Sequence, residues 1–118
     1  MSKEHGRVKS FKFAFDGLKT CISGEPNFKI HLVIALAVSI VAYYLSFTPL
    51  EWAILVLTIS SVLILEILNT SMEAFLDIIS PEKGPQVKKA KDTAAAAVLI
   101  ASIAAVFVGA FLFLPKLI

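Results

Sequence analysis

Three apolar stretches separated by short polar breaks dominate the chain after its first 29 residues. Residues 30–47, "IHLVIALAVSIVAYYLSF", carry no Asp, Glu, Lys or Arg and are long enough to cross a bilayer, with Tyr43 and Tyr44 close to the far interface. "SFTPLEW" then makes a short turn, in which Pro49 is the punctuation and Trp52 an interfacial anchor opening the next helix. The second stretch, residues 52–79, ends where Ser80, Pro81 and the Gly84-Pro85 pair interrupt a helix. The third, residues 87–114, is expected to stop at Pro115. Ahead of the first span, Val8, Phe11, Phe15, Leu18 and Ile22 recur at helical spacing, while Lys9, Lys12, Asp16 and Lys19 occupy the other side. That pattern predicts an interfacial amphipathic helix over about 8–23, whose basic face anchors it on anionic lipid and which could also cover a site. Gly24 can cap it and Pro26 suits the first turn of the next helix, leaving Glu25 in the corner between the two. The fold class is therefore an all-α membrane protein, a single domain over residues 1–118 with one amphipathic and three transmembrane helices.

Composition agrees with this pattern and removes alternatives. The chain has 118 residues, of which 58% are hydrophobic, and a mean hydropathy of +0.84, far from an ordinary soluble domain. Three spans of about 20 residues use up that length, so a separate soluble catalytic domain is excluded and any chemistry belongs at the membrane. No signal-peptide pattern is read in the polar, basic first 29 residues. The single cysteine, Cys21, cannot form an intramolecular disulfide or half of a CxxC metal site and reads as a small apolar filler. The position of charge says more than its sum. Lys3, Arg7, Lys9, Lys12, Lys19 and Lys29 precede the first span, and Lys83, Lys88, Lys89 and Lys91 lie between the second and third. The break between the first two spans has no basic residue. The positive-inside rule therefore puts the N-terminus and the 80–91 loop in the cytoplasm, with Lys116 outside.

Against this background "EILNTSMEAFLD", residues 66–77, is anomalous: three carboxylates and an asparagine follow directly on a long apolar run. At 100° per residue, Glu66, Asn69, Glu73 and Asp77 fall at about 0°, 300°, 340° and 20°, one narrow stripe of the second helix. The stripe is roughly 16 Å long and runs from inside the hydrocarbon edge to the cytoplasmic interface. An ionisable residue within a span costs about 2.5–3.5 kcal/mol, so Glu66 needs partners or a function. Two bland readings stay open: Glu73 and Asp77 as the solvated end of a helix, and Glu66 with Asn69 as a polar pair holding helices together. A proton or ion pathway would continue to the midplane and beyond, whereas this seam stops at one side. Three helices offer little interior for four polar groups, so a homo-oligomer is expected. Ala97, Ala101, Ala105 and Gly109, each four apart, form a small-residue ridge suited to close helix contact within or between chains.

"KKAKDTAAAAVLIA" opens the third span with Lys91 and Asp92. Lysines beside a carboxylate cluster suit a polyphosphate, since lysine neutralises phosphate and carboxylates hold Mg²⁺. Phosphoryl transfer needs positioning, a metal bridging phosphate oxygens, and a carboxylate to take the proton of the attacking hydroxyl. Neither a GxxxxGK[ST] nor a GxGxxG loop is present, which removes the known soluble kinase folds. Nothing in the pattern calls for nucleic acid as a partner. The opposing reading is a small oligomeric channel or assembly subunit whose carboxylates bind cations. The Lys91-Asp92 pair and the one-sided seam suit a nucleotide better.

"EILNTSMEAFLD", followed after twelve residues by "AKDTAAAAVL", resembles the signature of the small prokaryotic integral-membrane diacylglycerol kinase and undecaprenol kinase family. The resemblance extends from "GLK" through "EPNFKIH" to "FLPKL". It implies a homotrimer in the bacterial cell membrane, with active sites shared between neighbours at the cytoplasmic surface. It implies Glu66 as general base for a lipid hydroxyl with Asn69 beside it, and Glu25 and Glu73 as holders of the Mg²⁺ that accompanies ATP. Asp77, Glu82, Lys83, Lys91 and Asp92 would line the nucleotide site. The chain departs from the family at Gly84, where a histidine is common, and a contact from around Phe13 is equally open. "FKIHLVIAL", "LEW" and "FLPKL" look more like the undecaprenol kinase branch, and His31 stands where the diacylglycerol kinase branch has a carboxylate. Read without the resemblance, His31 is a histidine at a membrane interface with no catalytic part. Phosphorylation of undecaprenol is the favoured expectation, and phosphorylation of diacylglycerol to phosphatidic acid the alternative.

Overall fold

The computed structural model describes residues 6–118; the sequence reading of Lys3 lies outside the described residues. Four helices follow in order: α1 (Gly6–Gly24), α2 (Pro26–Tyr44), α3 (Pro49–Ile79) and α4 (Pro85–Leu117). The last three are long and apolar enough to cross a membrane. Most of their apolar side chains, among them Val33, Leu36, Leu57, Ile100 and Phe107, are exposed on the single chain, which suits surroundings of lipid or other protein rather than water.

The helix boundaries follow local chemistry. One residue, Glu25, separates α1 from α2, with extended backbone (φ −118°, ψ 104°) as the N-cap of α2 and Pro26 in the first turn, where a missing N–H costs nothing. Glu25 N donates to Cys21 O at 3.1 Å, and Cys21 is buried under this corner. At its other end α2 stops at Tyr44, earlier than the span expected over 30–47. Ser46 takes a left-handed conformation, φ 58°; its N–H donates to Tyr43 O at 3.2 Å and that of Phe47 to Ala42 O at 3.2 Å. This is a Schellman closure with serine at the position glycine usually holds. Phe47, which lengthened the apolar run, folds back and is buried against Ala42. Thr48 and Glu51 then cap α3 reciprocally: Glu51 N donates to Thr48 Oγ1 and Thr48 N to Glu51 Oε1.

Pro115 does not end α4, contrary to expectation: the helix continues through it to Leu117. A proline one turn from a helix end removes a single backbone hydrogen bond, and Ile118 N still donates to Leu114 O at 3.1 Å. The extra turn carries Lys116 to Glu51, 3.0 Å away, and over the ring of Phe47 at 5.5 Å. Trp52, expected as an interfacial anchor, is half-buried and packs edge-on to Phe47 at 5.9 Å.

In packing, α3 lies mainly against α4 and less extensively against α2, and all three helices contribute to one buried cluster. The buried cluster Ala42, Phe47, Leu55 and Leu112 sits at the α2–α3 turn. One end of the molecule is thus tied together by aromatic packing, while the end at the α3–α4 turn carries the polar residues. The small-residue ridge of α4 is half-buried. At Gly109, however, no atom lies within 4 Å of where a Cβ would stand, because this part of the ridge borders a cavity rather than touching a helix.

Candidate functional site

The 31 residues of α3 span about 46 Å, well beyond the hydrocarbon thickness of a bilayer, so one end of the helix must project into the interface. The polar stripe occupies the last part. Exposure rises along it: Glu66 is 6% exposed, Asn69 and Glu73 are half-buried, and Asp77 is exposed. Burial sets Glu66 apart from the solvated end of the helix, to which the exposed Asp77 belongs.

Each member has a partner. Asn69 Nδ2 donates to Glu73 Oε1 at 3.2 Å, one turn along the same face, which fixes both side chains. The amide's Oδ1 is buried with no hydrogen-bond partner, an acceptor left open beside a carboxylate. Lys91 Nζ crosses from α4 to donate to Asp77 Oδ1 at 2.7 Å. Lys88 Nζ donates to Asp92 Oδ2 at 2.6 Å, one turn along α4. Together Lys83, Val87, Lys88, Lys91 and Asp92 line a concavity of about 320 Å³, open to the side of the exposed α3–α4 turn. Glu82 and Lys83 are both exposed in that turn, which is shaped by the N–H of Gly84 donating to Glu82 O at 2.9 Å.

Glu25 is half-buried at the α1–α2 corner. Burial, and secondarily the charge of Glu25, push the Cys21 thiol up from its ordinary value. Among the described residues, no group of three or more His, Cys, Asp or Glu side chains converges as a metal cage. Glu25 and Glu73 therefore do not form a complete metal site with other carboxylates among the described residues.

The sequence reading gave His31 no part in the site, yet its Nε2 lies 3.2 Å from Glu66 Oε1. The signal was present: His31 is the one titratable group other than the tyrosines within residues 30–47, and such residues in a span need a reason. His31 also forms the polar end of a cavity of about 330 Å³ between α2, α3 and α4, whose walls include Val38, Leu55, Val62, Gly109 and Phe113. A buried carboxylate thus stands beside an apolar cavity on one side and, through the stripe, leads to a basic concavity at the interface on the other.

A membrane lipid kinase has to bring a greasy substrate and a charged one together at a group that takes a proton, and comparison with known proteins places the chain in that class. Residues 12–113 match the prokaryotic diacylglycerol kinase family, and the chain belongs to that family. It is 38% identical over 121 residues to the undecaprenol kinase of Bacillus subtilis, covering 98% of each chain. It is 41% identical over 110 residues to a diacylglycerol kinase of Synechocystis, with 92% of this chain and 63% of the relative covered. With the diacylglycerol kinase of Escherichia coli it shares 33% identity over 99 residues, 84% of this chain and 81% of the relative.

Proposed function

We propose that this lipid kinase transfers the γ-phosphoryl group of ATP to the hydroxyl of undecaprenol, giving undecaprenyl phosphate. The observation that carries the reading is Glu66, a carboxylate 6% exposed where a long apolar run gives way to the polar stripe. Its position at the edge of the membrane is where a lipid hydroxyl can arrive along the bilayer plane. Glu66 takes the proton of that hydroxyl as its oxygen bonds to the γ-phosphorus and the bond to the ADP oxygen breaks. Asn69, held by Glu73, orients the reacting groups. Lys91 with Lys88 and Lys83 neutralises the phosphates, while Asp77, Asp92 and Glu82 complete the nucleotide site.

Mg²⁺ fits this donor set, with Glu25 and Glu73 as the residues that would hold it. Mg²⁺ uses one or two carboxylates plus phosphate oxygens and water rather than an all-protein cage, and the open Oδ1 of Asn69 lies beside Glu73. When bound, the ion would neutralise charge developing on the phosphate oxygens.

Undecaprenol is favoured because the match to the undecaprenol kinase of Bacillus subtilis runs over 98% of both chains, whereas the diacylglycerol kinases are matched over shorter shares. The working form is a homotrimer of single-domain subunits with sites shared between neighbours. In support, the chain measures 52 × 40 × 21 Å, a slab about two helices thick that cannot surround its own seam. The N-terminus and the 80–91 loop face the cytoplasm, α1 lies in the interface with its exposed Val8, Phe11 and Phe15 in lipid, and the C-terminus is outside.

The test is phosphate transfer from ATP in mixed micelles, undecaprenol and diacylglycerol being offered side by side, with Glu66→Gln as control. Undecaprenol is expected to give the higher kcat/KM, and Glu66→Gln to assemble normally and lose at least about a hundredfold in kcat. Preference for diacylglycerol would move the product to phosphatidic acid, and an active Glu66→Gln would remove Glu66 as the base.

A further inference from the structure

Glu66 is a buried polar group that needs a partner, and among the described residues the side chain that reaches its carboxyl group is His31, at 3.2 Å. The two belong to different helices. His31 stands near the start of α2, and Glu66 in the second half of α3. Their contact ties the orientation of a base on one helix to the position of its neighbour. His31 is the more exposed of the two, 24% at the side chain against 8%, so the imidazole lies between the carboxylate and the surroundings. Among the described residues it is also the one titratable group in the wall of the 330 Å³ cavity. The other polar residue of that wall, Thr58, turns its hydroxyl back to Ile54 O at 2.7 Å and offers the cavity no donor.

A carboxylate rotates freely about its last bond and presents either of two oxygens in several directions. For proton abstraction it must hold one oxygen toward the hydroxyl, and a donor fixed on the other oxygen achieves that. A histidine in this place also fixes which ring nitrogen carries the proton, by what the carboxylate accepts.

We infer that His31 is a positioning residue for Glu66: its Nε2–H donates to Glu66 Oε1 and leaves Oε2 directed at the lipid hydroxyl. The inference rests on Glu66 being the base. His31 is not consumed: the proton leaves the hydroxyl for Glu66, the new O–P bond forms, and ADP departs. Since the imidazole also ends the apolar cavity, an apolar chain lying along that wall would bring its terminal hydroxyl up beside the pair.

The test compares His31→Leu, which keeps bulk and removes the donor, with His31→Gln, whose amide can place a donor close to the original Nε2. Phosphorylation of undecaprenol and of diacylglycerol is followed in mixed micelles, with Glu66→Gln and the double variant Glu66→Gln/His31→Leu alongside. Expected are a fall in kcat of about tenfold to a hundredfold for His31→Leu, the worth of a hydrogen bond to a charged group, and an unchanged KM for ATP. His31→Gln is expected to recover most of the loss, and the double variant to be no slower than Glu66→Gln alone.

A nitrogen-15 spectrum supplies a readout free of turnover. The sequence has two histidines, His5 and His31, so His31 is assigned by removing the other, and its Nε2 resonance is expected to move in Glu66→Gln. If Glu66→Gln is inactive while His31→Leu and His31→Gln both match the wild type, the positioning role is wrong and the base assignment survives. Equal losses in His31→Leu and His31→Gln, with no movement of the Nε2 resonance in Glu66→Gln, would likewise overturn it and leave His31 as packing. An active Glu66→Gln sinks the base assignment, and this inference with it.

Discussion

Lys91 and Asp77 face each other at 2.7 Å across α4 and α3, and the pair differs from the neighbouring one. Lys88 and Asp92 are both largely exposed, and an exposed i,i+4 pair contributes little to stability. Lys91 is 28% exposed at the side chain, held in the wall of the basic concavity, and its ammonium has a defined direction. In the proposed function it exchanges part of its bond to Asp77 for a phosphate oxygen. Lys91→Ala is therefore expected to raise the KM for ATP by about tenfold or more, with a smaller effect on the KM for lipid. Lys88→Ala, removing a cation largely exposed and paired along its own helix, should shift the KM for ATP much less. Initial rates at varied ATP decide this, and an unchanged KM in Lys91→Ala would take the residue out of the nucleotide site.

Among the elements, those whose ends carry specific residues were the most legible in sequence. Pro26 after Glu25 begins α2 where the sequence reading put it, whereas Pro49 and Pro85, read as punctuation with the helices opening at Trp52 and about Val87, stand in the first turns of α3 and α4 themselves. The stripe on α3 was legible, since its angular positions follow from helix periodicity alone. What periodicity does not contain is which residue of another helix meets the stripe. The contact of His31 with Glu66 and that of Lys91 with Asp77 depend on how α2 and α4 are set against α3, a tertiary fact. The end of α2 was misread because an apolar residue after a helix looks like more helix; Phe47 belongs to the core through a turn. That turn puts a serine in the left-handed region, at a cost that glycine does not bear. Ser46→Gly is thus expected to stabilise the fold by about 0.5–1 kcal/mol, seen as a higher midpoint in detergent-mediated unfolding, with kinase activity unchanged because the site lies at the other end. A lower midpoint would mean that the serine hydroxyl contributes more than the backbone conformation costs.

For the whole molecule, the aromatic cluster at the α2–α3 turn and the polar stripe near the α3–α4 turn lie toward opposite ends of one candidate span, and the orientation read from the lysines puts the first end outside and the second in the cytoplasm. Cysteine chemistry can test this with little disturbance. The native Cys21 is buried, and burial together with the nearby charge of Glu25 raises its thiol above the usual range. Less of it is thiolate at neutral pH than for a free cysteine, so it should react slowly, and Cys21→Ser gives a clean background. Lys83 in the α3–α4 turn and Ser46 in the α2–α3 turn are both exposed, and cysteines there should react at ordinary rates. With a membrane-impermeant maleimide, Ser46→Cys is expected to be labelled in intact cells and Lys83→Cys only in inverted vesicles or after permeabilisation. The reverse pattern would place the lysine-rich turn outside, away from cytoplasmic ATP. Since nucleotide and lipid must meet at one face, that outcome would overturn the orientation and also the assignment of Lys83, Lys88 and Lys91 to the nucleotide.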